Sequence, residues 1–278
     1  MQRTTLFLAL ILSASACAST ATPQVDKQAT AQPAATTAAL QAAIDAPGRD
    51  AANRMRDGYR NPLQTLQFFG VLPNQTVIEI TPGGGWYSEI LAPYLNADGR
   101  YIGAVPAAAA DSKGGLRNTA FRDKLTGNPA SANATMIELD AKAPTLASGS
   151  ADAVLTFRNV HNWVGAGNAD AYFRAFFGAL KPGGVLGVVE HRAKPGTDLE
   201  VMKSSGYLTE ALVTTYATDA GFVLEASSEA NANPKDGANH PNGVWTLPPV
   251  NRHDAADKAK YKAIGESDRM TLRFRKPG

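Results

Sequence analysis

Of the 278 residues only one is cysteine and four are histidine, and 27 Lys and Arg stand against 25 Asp and Glu. A lone cysteine excludes an internal disulfide, so the fold must rest on its apolar core. A formal net charge of +2 gives no electrostatic case for nucleic acid or for an anionic membrane surface. Long apolar runs are absent as well. The longest near the start, Leu6–Leu12, is far too short to span a bilayer. No internal repeat is visible, and no metalloenzyme spacing such as H-E-x-x-H occurs, so no metal is expected.

What stands at the N-terminus is Arg3, that apolar run, and then small residues up to Cys17. This is the charged, apolar and small-residue order of an export signal. Residues 1–17 resemble a bacterial lipoprotein signal, although Ala14 stands where Leu is usual. The resemblance implies a lipidated Cys17 as the mature N-terminus and, with Ala18 following, a periplasmic protein tethered to the outer membrane. Ordinary cleavage after Ala16 is the alternative. Residues 18–50 are rich in Ala, Thr, Gln and Pro and read as a flexible tether. The run "ATTAALQAAIDA" inside it has helical propensity but little to bury. Residues 51–278 then form one domain.

In that domain apolar runs alternate with helical patterns, which is the signature of a doubly wound α/β fold. Seven strands are expected at Thr76–Ile80, Tyr101–Val105, Thr135–Leu139, Ala153–Phe157, Val185–Glu190, Phe222–Ala226 and Met270–Arg275. Helices are expected at Trp86–Leu95, Ala169–Leu180 and Ser205–Ala220, with "ALKPGG" stopping the second. Three consecutive glycines, Gly83 to Gly85, follow the first strand, where a backbone free of Cβ atoms can approach a ligand.

The stretches "RNPLQTLQFFGVLPNQTVIEITPGGGWYSEILAPYL", "ADAVLTFRNVHNW" and "LKPGGVLGVVEHRA" resemble a group of bacterial class I methyltransferases, Rossmann-like proteins with S-adenosylmethionine as cofactor. The resemblance covers roughly Arg54 to Lys276. It implies that Glu79, Thr81, Gly83, Gly84 and Gly85 form the first cofactor loop. It sets Asp140 against the adenine amino group, although Asp140 could equally cap the next turn. Strand two should end in an acid for the ribose, but Val105 and Pro106 stand there.

Beyond strand four lie Arg158, Asn159, His161 and Trp163, and strand five ends in Glu190, His191 and Arg192. In a doubly wound sheet these clusters face the same crevice as the glycines. Arg158 and Asn159 are taken for cofactor contacts and Trp163 for a substrate contact. His161 and His191 are candidate general bases, with Glu190 beside them. Glu190 could instead form an ion pair with Arg158 or Arg192. The long connection 231–268 reads as a lid in which Asn239, His240 and Trp245 would meet substrate.

The expected function is methyl transfer from S-adenosylmethionine to a small molecule. An exported binding module on the same fold is the alternative, favoured by the missing ribose acid. A metal-dependent hydrolase using His161, Glu190, His191 and His240 is the third reading, and it lacks a recognisable ligand spacing. No sequence feature bears on oligomeric state.

Overall fold

Val77, Ile78 and Ile80 are almost entirely buried, so β1 (Thr76–Ile80) is covered on both faces, as a parallel strand flanked by helices must be. β2 (Arg100–Pro106), β3 (Thr135–Leu139), β4 (Ala151–Phe157), β5 (Leu180–His191), β6 (Val223–Ser228) and β7 (Arg269–Arg275) complete one sheet. Its order is β3-β2-β1-β4-β5-β7-β6. β1 to β5 pair in parallel, whereas β7 runs antiparallel between β5 and β6. The computed structural model describes Met1 and residues 33–278. The expected export signal and Cys17 lie outside the described residues. Among those described, no helix is long and apolar enough to cross a membrane.

Alternating side chains send the sheet into two cores. On one face Ile78, Ile80, Val154, Leu186 and Val188 pack with Phe173 and Phe176 from the helix Ala169–Ala179. On the other, Val77, Leu155, Val185 and Val189 pack with Ile90, Leu91 and Phe121 from the helices Ser88–Tyr94 and Lys113–Thr126. This second core also takes Leu40, Ala43 and Ile44 from a helix at Ala34–Ile44.

That helix corrects the expected tether over 18–50, whose described end is folded chain. Three apolar residues on one side are enough to dock it, and at roughly 25 cal/mol per Å² their burial offsets a composition poor in large side chains. The helix expected over Ser205–Ala220 is two, Leu199–Ser205 and Glu210–Asp219. Gly206, at φ +74°, ends the first, and Thr209 caps the second through Leu212 N. The segment "LKPGG" is the start of β5 rather than a turn, because Leu180 pairs with Ala151 ahead of a register shift.

Candidate active site

The strand order reverses between β1 and β4, which makes the crevice beyond their carboxyl ends the ligand position of a doubly wound sheet. Both strands leave that edge through residues with left-handed backbone, Thr81 at φ +51° and Arg158 at φ +62°. A β-branched residue in this region is a true outlier and costs roughly 1–3 kcal/mol. Ladder-like bonds hold both residues there: Thr81 N donates to Ala104 O and Arg158 N to Val189 O, each at 2.7 Å. Asn159 Nδ2 donates to Ile80 O at 3.0 Å and reaches Thr81 O at 3.4 Å. Asn159 is buried, and its side-chain amide ties the two exits together.

Gly83 and Gly84 are exposed and Gly85 is buried, with φ of +62° at Gly83 and +78° at Gly85. Glu79 is buried. Its Oε2 accepts from Tyr101 OH at 2.6 Å and Ser88 Oγ at 2.9 Å beneath the helix Ser88–Tyr94. Burial raises its pKa to about 7 despite those two bonds. Thr81, Gly83, Val105, Pro106, Asn118 and Phe121 line a cavity of about 160 Å³ at the ends of β1 and β2. Arg117 and Asn118 are polar side chains that line this cavity, and Asn118 Nδ2 donates to Pro106 O at 2.9 Å. Asp140 is exposed, and its Oδ1 accepts from Lys142 N at 2.8 Å, the bond that the turn-capping reading expects.

Across the switch point His161 and His191 meet, their ring centroids 5.2 Å apart. Glu190 is fully buried. Its Oε1 lies 3.0 Å from His161 Nδ1 and accepts from His191 N at 2.8 Å, while its Oε2 accepts from His161 N at 3.2 Å. The expected ion pair of Glu190 with Arg158 or Arg192 is therefore replaced. Arg192 reaches outward to Glu210, Glu229 and Asp268. His191 Nδ1 lies 2.6 Å from Ser267 Oγ. Burial first, then His161, Arg158, Arg269 and Arg60, hold the His191 pKa well below its ordinary value.

Ligand atoms of His161, Glu190 and His191 lie within 4.8 Å of one another, close enough to hold a metal ion. The three guanidinium groups that depress His191 would oppose a cation in the same way. His240, the fourth ligand of the hydrolase reading, is held elsewhere. Its Nε2 lies 2.8 Å from Asp236 Oδ1, and its ring packs edge-on against Tyr261 at 5.6 Å.

His240 is thus held by Asp236 and Tyr261 within the connection 231–268, and Asn239 is exposed. Asp236 also accepts from Tyr207 OH and Asp268 N, each at 2.8 Å, so 231–268 is pinned to the sheet edge. Trp245 alone of the three expected lid contacts reaches the histidines, 6.1 Å from His161 in an edge arrangement. Trp163 is core: it stacks on Tyr172 at 4.2 Å and 11° and is 6% exposed. The helix Val160–Ala166 packs this indole into the core against Tyr172 and Phe176.

The residues that sequence reasoning missed are Arg60, Tyr87, Glu266 and Arg269. Tyr87 stacks on Phe157 with centroids 3.6 Å apart, two residues beyond Gly85. Arg269 starts β7 opposite His191. The available signal was the antiparallel sense of β7, which brings its first residue to the carboxyl edge of β5.

A methyltransferase from Aquifex aeolicus, described as S-adenosylmethionine dependent, superposes with a TM-score of 0.53 at 14% identity, covering 86% of this chain and 98% of that one. The fold is that of the class I methyltransferases. The CurJ carbon methyltransferase shares it at 16% identity and TM-score 0.52, over 88% of this chain and 58% of its own. So does SpnF, described as a [4+2]-cyclase, at 17% identity and 0.55, over 87% and 93%. No protein-family model matches the chain, and no curated protein does. The class I methyltransferase fold therefore stands on architecture, and the site must argue its own chemistry.

Proposed function

We propose that the chain is an S-adenosylmethionine-dependent methyltransferase acting on a small molecule in the cell envelope. The observation that carries this reading is the switch point itself. The loop after β1 presents Gly83 and Gly84 open to solvent, while the exit of β4 leads to a histidine backed by a buried carboxylate. Backbone at Thr81 to Gly85, the wall of Val105 and Pro106, Asn118 and the second oxygen of Asp140 would hold the cofactor.

Bound there, S-adenosylmethionine supplies an electrophilic methyl group on its sulfonium. The chain must then hold an acceptor in line and receive its proton. Glu190 keeps the proton of His161 on Nδ1, which leaves Nε2 to take one from the acceptor nucleophile. Trp245 closes the side of the histidine pair and limits water.

Calorimetric titration of the purified protein with S-adenosylmethionine and S-adenosylhomocysteine tests the reading. Saturable binding of both is expected, and no affinity for either at millimolar concentration overturns it. The envelope location rests on residues 1–17, and mass spectrometry should find a lipid adduct on Cys17. An unmodified mature N-terminus would refute the anchor.

A second reading, a non-catalytic binding module, is favoured by Val105 and Pro106 ending β2 without an acid. It predicts that the nucleosides bind but that no acceptor is ever methylated.

A further inference from the structure

Four guanidinium groups, from Arg56, Arg60, Arg158 and Arg269, gather where β4 and β5 end and β7 begins, and two carboxylates, Glu266 and Glu190, answer them. Glu190 is committed to His161. Glu266 alone serves three arginines, at 2.6 Å from Arg56 Nε, 3.5 Å from Arg60 Nε and 3.3 Å from Arg269 Nη1. The contact with Arg60 has ion-pair distance but not hydrogen-bond geometry, so Arg60 Nε and Nη2 are buried without a hydrogen-bond partner, as is Arg56 Nη2. Arg60 is 3% exposed. The Arg158 side chain makes no hydrogen bond or ion pair among the described residues.

Leaving such donors unpaired is costly, and crowding like charges adds to the cost. Burial, and next the charge of Arg158, lower the Arg60 pKa to about 9. Burial, and next Arg269, lower that of Arg158 to about 10. Stacking of Arg60 over Trp86, 4.6 Å from the ring centre, holds the side chain in place but satisfies none of its N–H groups. Glu79 also couples to Arg60, but burial raises its pKa to about 7, so it is only partly ionised at neutral pH, and it is turned toward Ser88 and Tyr101. The cluster therefore carries an excess of between one and two positive charges. Its other neighbours, Tyr87 and His191, are neutral: the Tyr87 pKa is raised to about 12, by burial above all, and that of His191 is depressed.

We propose that this pocket binds an oxyanion, a carboxylate or phosphate group carried by the methyl acceptor, with Arg158 as its principal contact and Arg60 and Arg269 beside it. The assignment of the anion to the acceptor rests on the methyltransferase reading. S-adenosylmethionine bears a sulfonium and an ammonium against one carboxylate, and its net charge is positive. A pocket with surplus positive charge is mismatched to that cofactor as a whole and matched to an anionic second ligand. Guanidinium N–H groups pair with carboxylate and phosphate oxygens in bidentate fashion, and Arg158 has its whole fork free to do so. The pocket adjoins His191 and, through it, His161, so an anion seated on Arg158 would bring the rest of a small acceptor to the histidine pair.

The test is calorimetry on the full-length chain with inorganic phosphate and with acetate, alone and after saturation with S-adenosylhomocysteine. Phosphate or acetate binding should persist in the saturated protein, and Arg158→Gln should weaken it by about 10-fold or more while changing nucleoside affinity by less than about 3-fold. Arg158→Lys, which keeps the charge but loses the fork, should fall between. As a check independent of any variant, phosphate should raise the wild-type melting temperature more than chloride at equal ionic strength. Loss of the anion signal on saturation would show that the pocket seats the cofactor's own carboxylate and would overturn the proposal. An unchanged signal in Arg158→Gln would overturn it too. Anion binding that depends on Arg158 in a protein with no affinity for either nucleoside would keep the pocket and remove the methyltransferase reading.

Discussion

His161 Nδ1 lies 3.0 Å from Oε1 of Glu190, a carboxylate with no exposed surface that also accepts from the backbone N–H groups of His161 and His191. Three bonds fix the carboxylate, and the carboxylate fixes the imidazole. If the Nε2 so presented is the base, His161→Ala should lower kcat by about 100-fold or more. Glu190→Gln should lower it less, because the amide can still meet Nδ1 but no longer stabilises the imidazolium. Nucleoside affinity should stay within a factor of about 3 of wild type in both. Unchanged turnover in His161→Ala would show that transfer runs on positioning alone.

His191 sits against the same carboxylate but answers to different neighbours. Burial, His161 and the three arginines hold its folded pKa below the unfolded value of about 6.5. Below that pH the unfolded chain binds the proton more tightly than the folded one. The stability that neutral His191 represents is thus complete above about pH 6.5 and is lost as pH falls toward the folded pKa. Melting temperatures between pH 7 and 5 should fall more steeply for wild type than for His191→Gln. Parallel curves would mean that His191 is not held neutral.

The strands were legible because each central one is a short, nearly continuous apolar run, such as Val77 to Ile80 or Val185 to Val189, and burial on both faces leaves that mark in the sequence. The glycine loop and the histidines were legible because they lie at strand ends. Trp163 was not, since an aromatic beyond a strand looks the same whether the next helix turns it outward or onto Tyr172. Nor was the arginine pocket. Arg56 and Glu266 are 210 positions apart in the chain, and only the antiparallel return of β7 closes that distance. The helix Ala34–Ile44 was hidden by composition, because its docking needs one buried side and not a high apolar content.

Glu79 gives a stability signature of opposite sign. Its pKa is about 7 in the folded chain, through burial, against an ordinary 4.5. The folded state therefore holds the proton more tightly. The associated stability is complete below about pH 4.5 and is lost as pH rises to about 7, a swing on the order of 3 kcal/mol. Glu79→Gln keeps an oxygen for Tyr101 and Ser88 and does not titrate. Its stability relative to wild type should improve by about 2–3 kcal/mol between pH 5 and pH 8 in denaturant unfolding. A pH-independent difference would mean that Glu79 is ionised throughout.

Gly84 and Gly85 separate a ligand-binding role from a structural one. At Gly84 the backbone is unstrained and a Cβ would meet nothing within 4 Å, whereas at Gly85 φ is +78° and a Cβ would lie 3.2 Å from the Phe121 ring. Gly85→Ala should therefore cost about 1–2 kcal/mol of stability, since left-handed backbone is unfavourable to any side chain, with a further loss if Phe121 cannot shift. Gly84→Ala should leave the melting temperature within about 2 °C of wild type, as surface changes away from strain do. If the exposed face of Gly84 is where the cofactor approaches, Gly84→Val should nonetheless weaken S-adenosylhomocysteine by about 10-fold or more, because a branched side chain would occupy the space that bare backbone leaves open. A Gly84→Val protein that melts and binds like wild type would move the cofactor away from this loop, leaving the glycines to explain only how the chain turns from β1 into the helix Ser88–Tyr94.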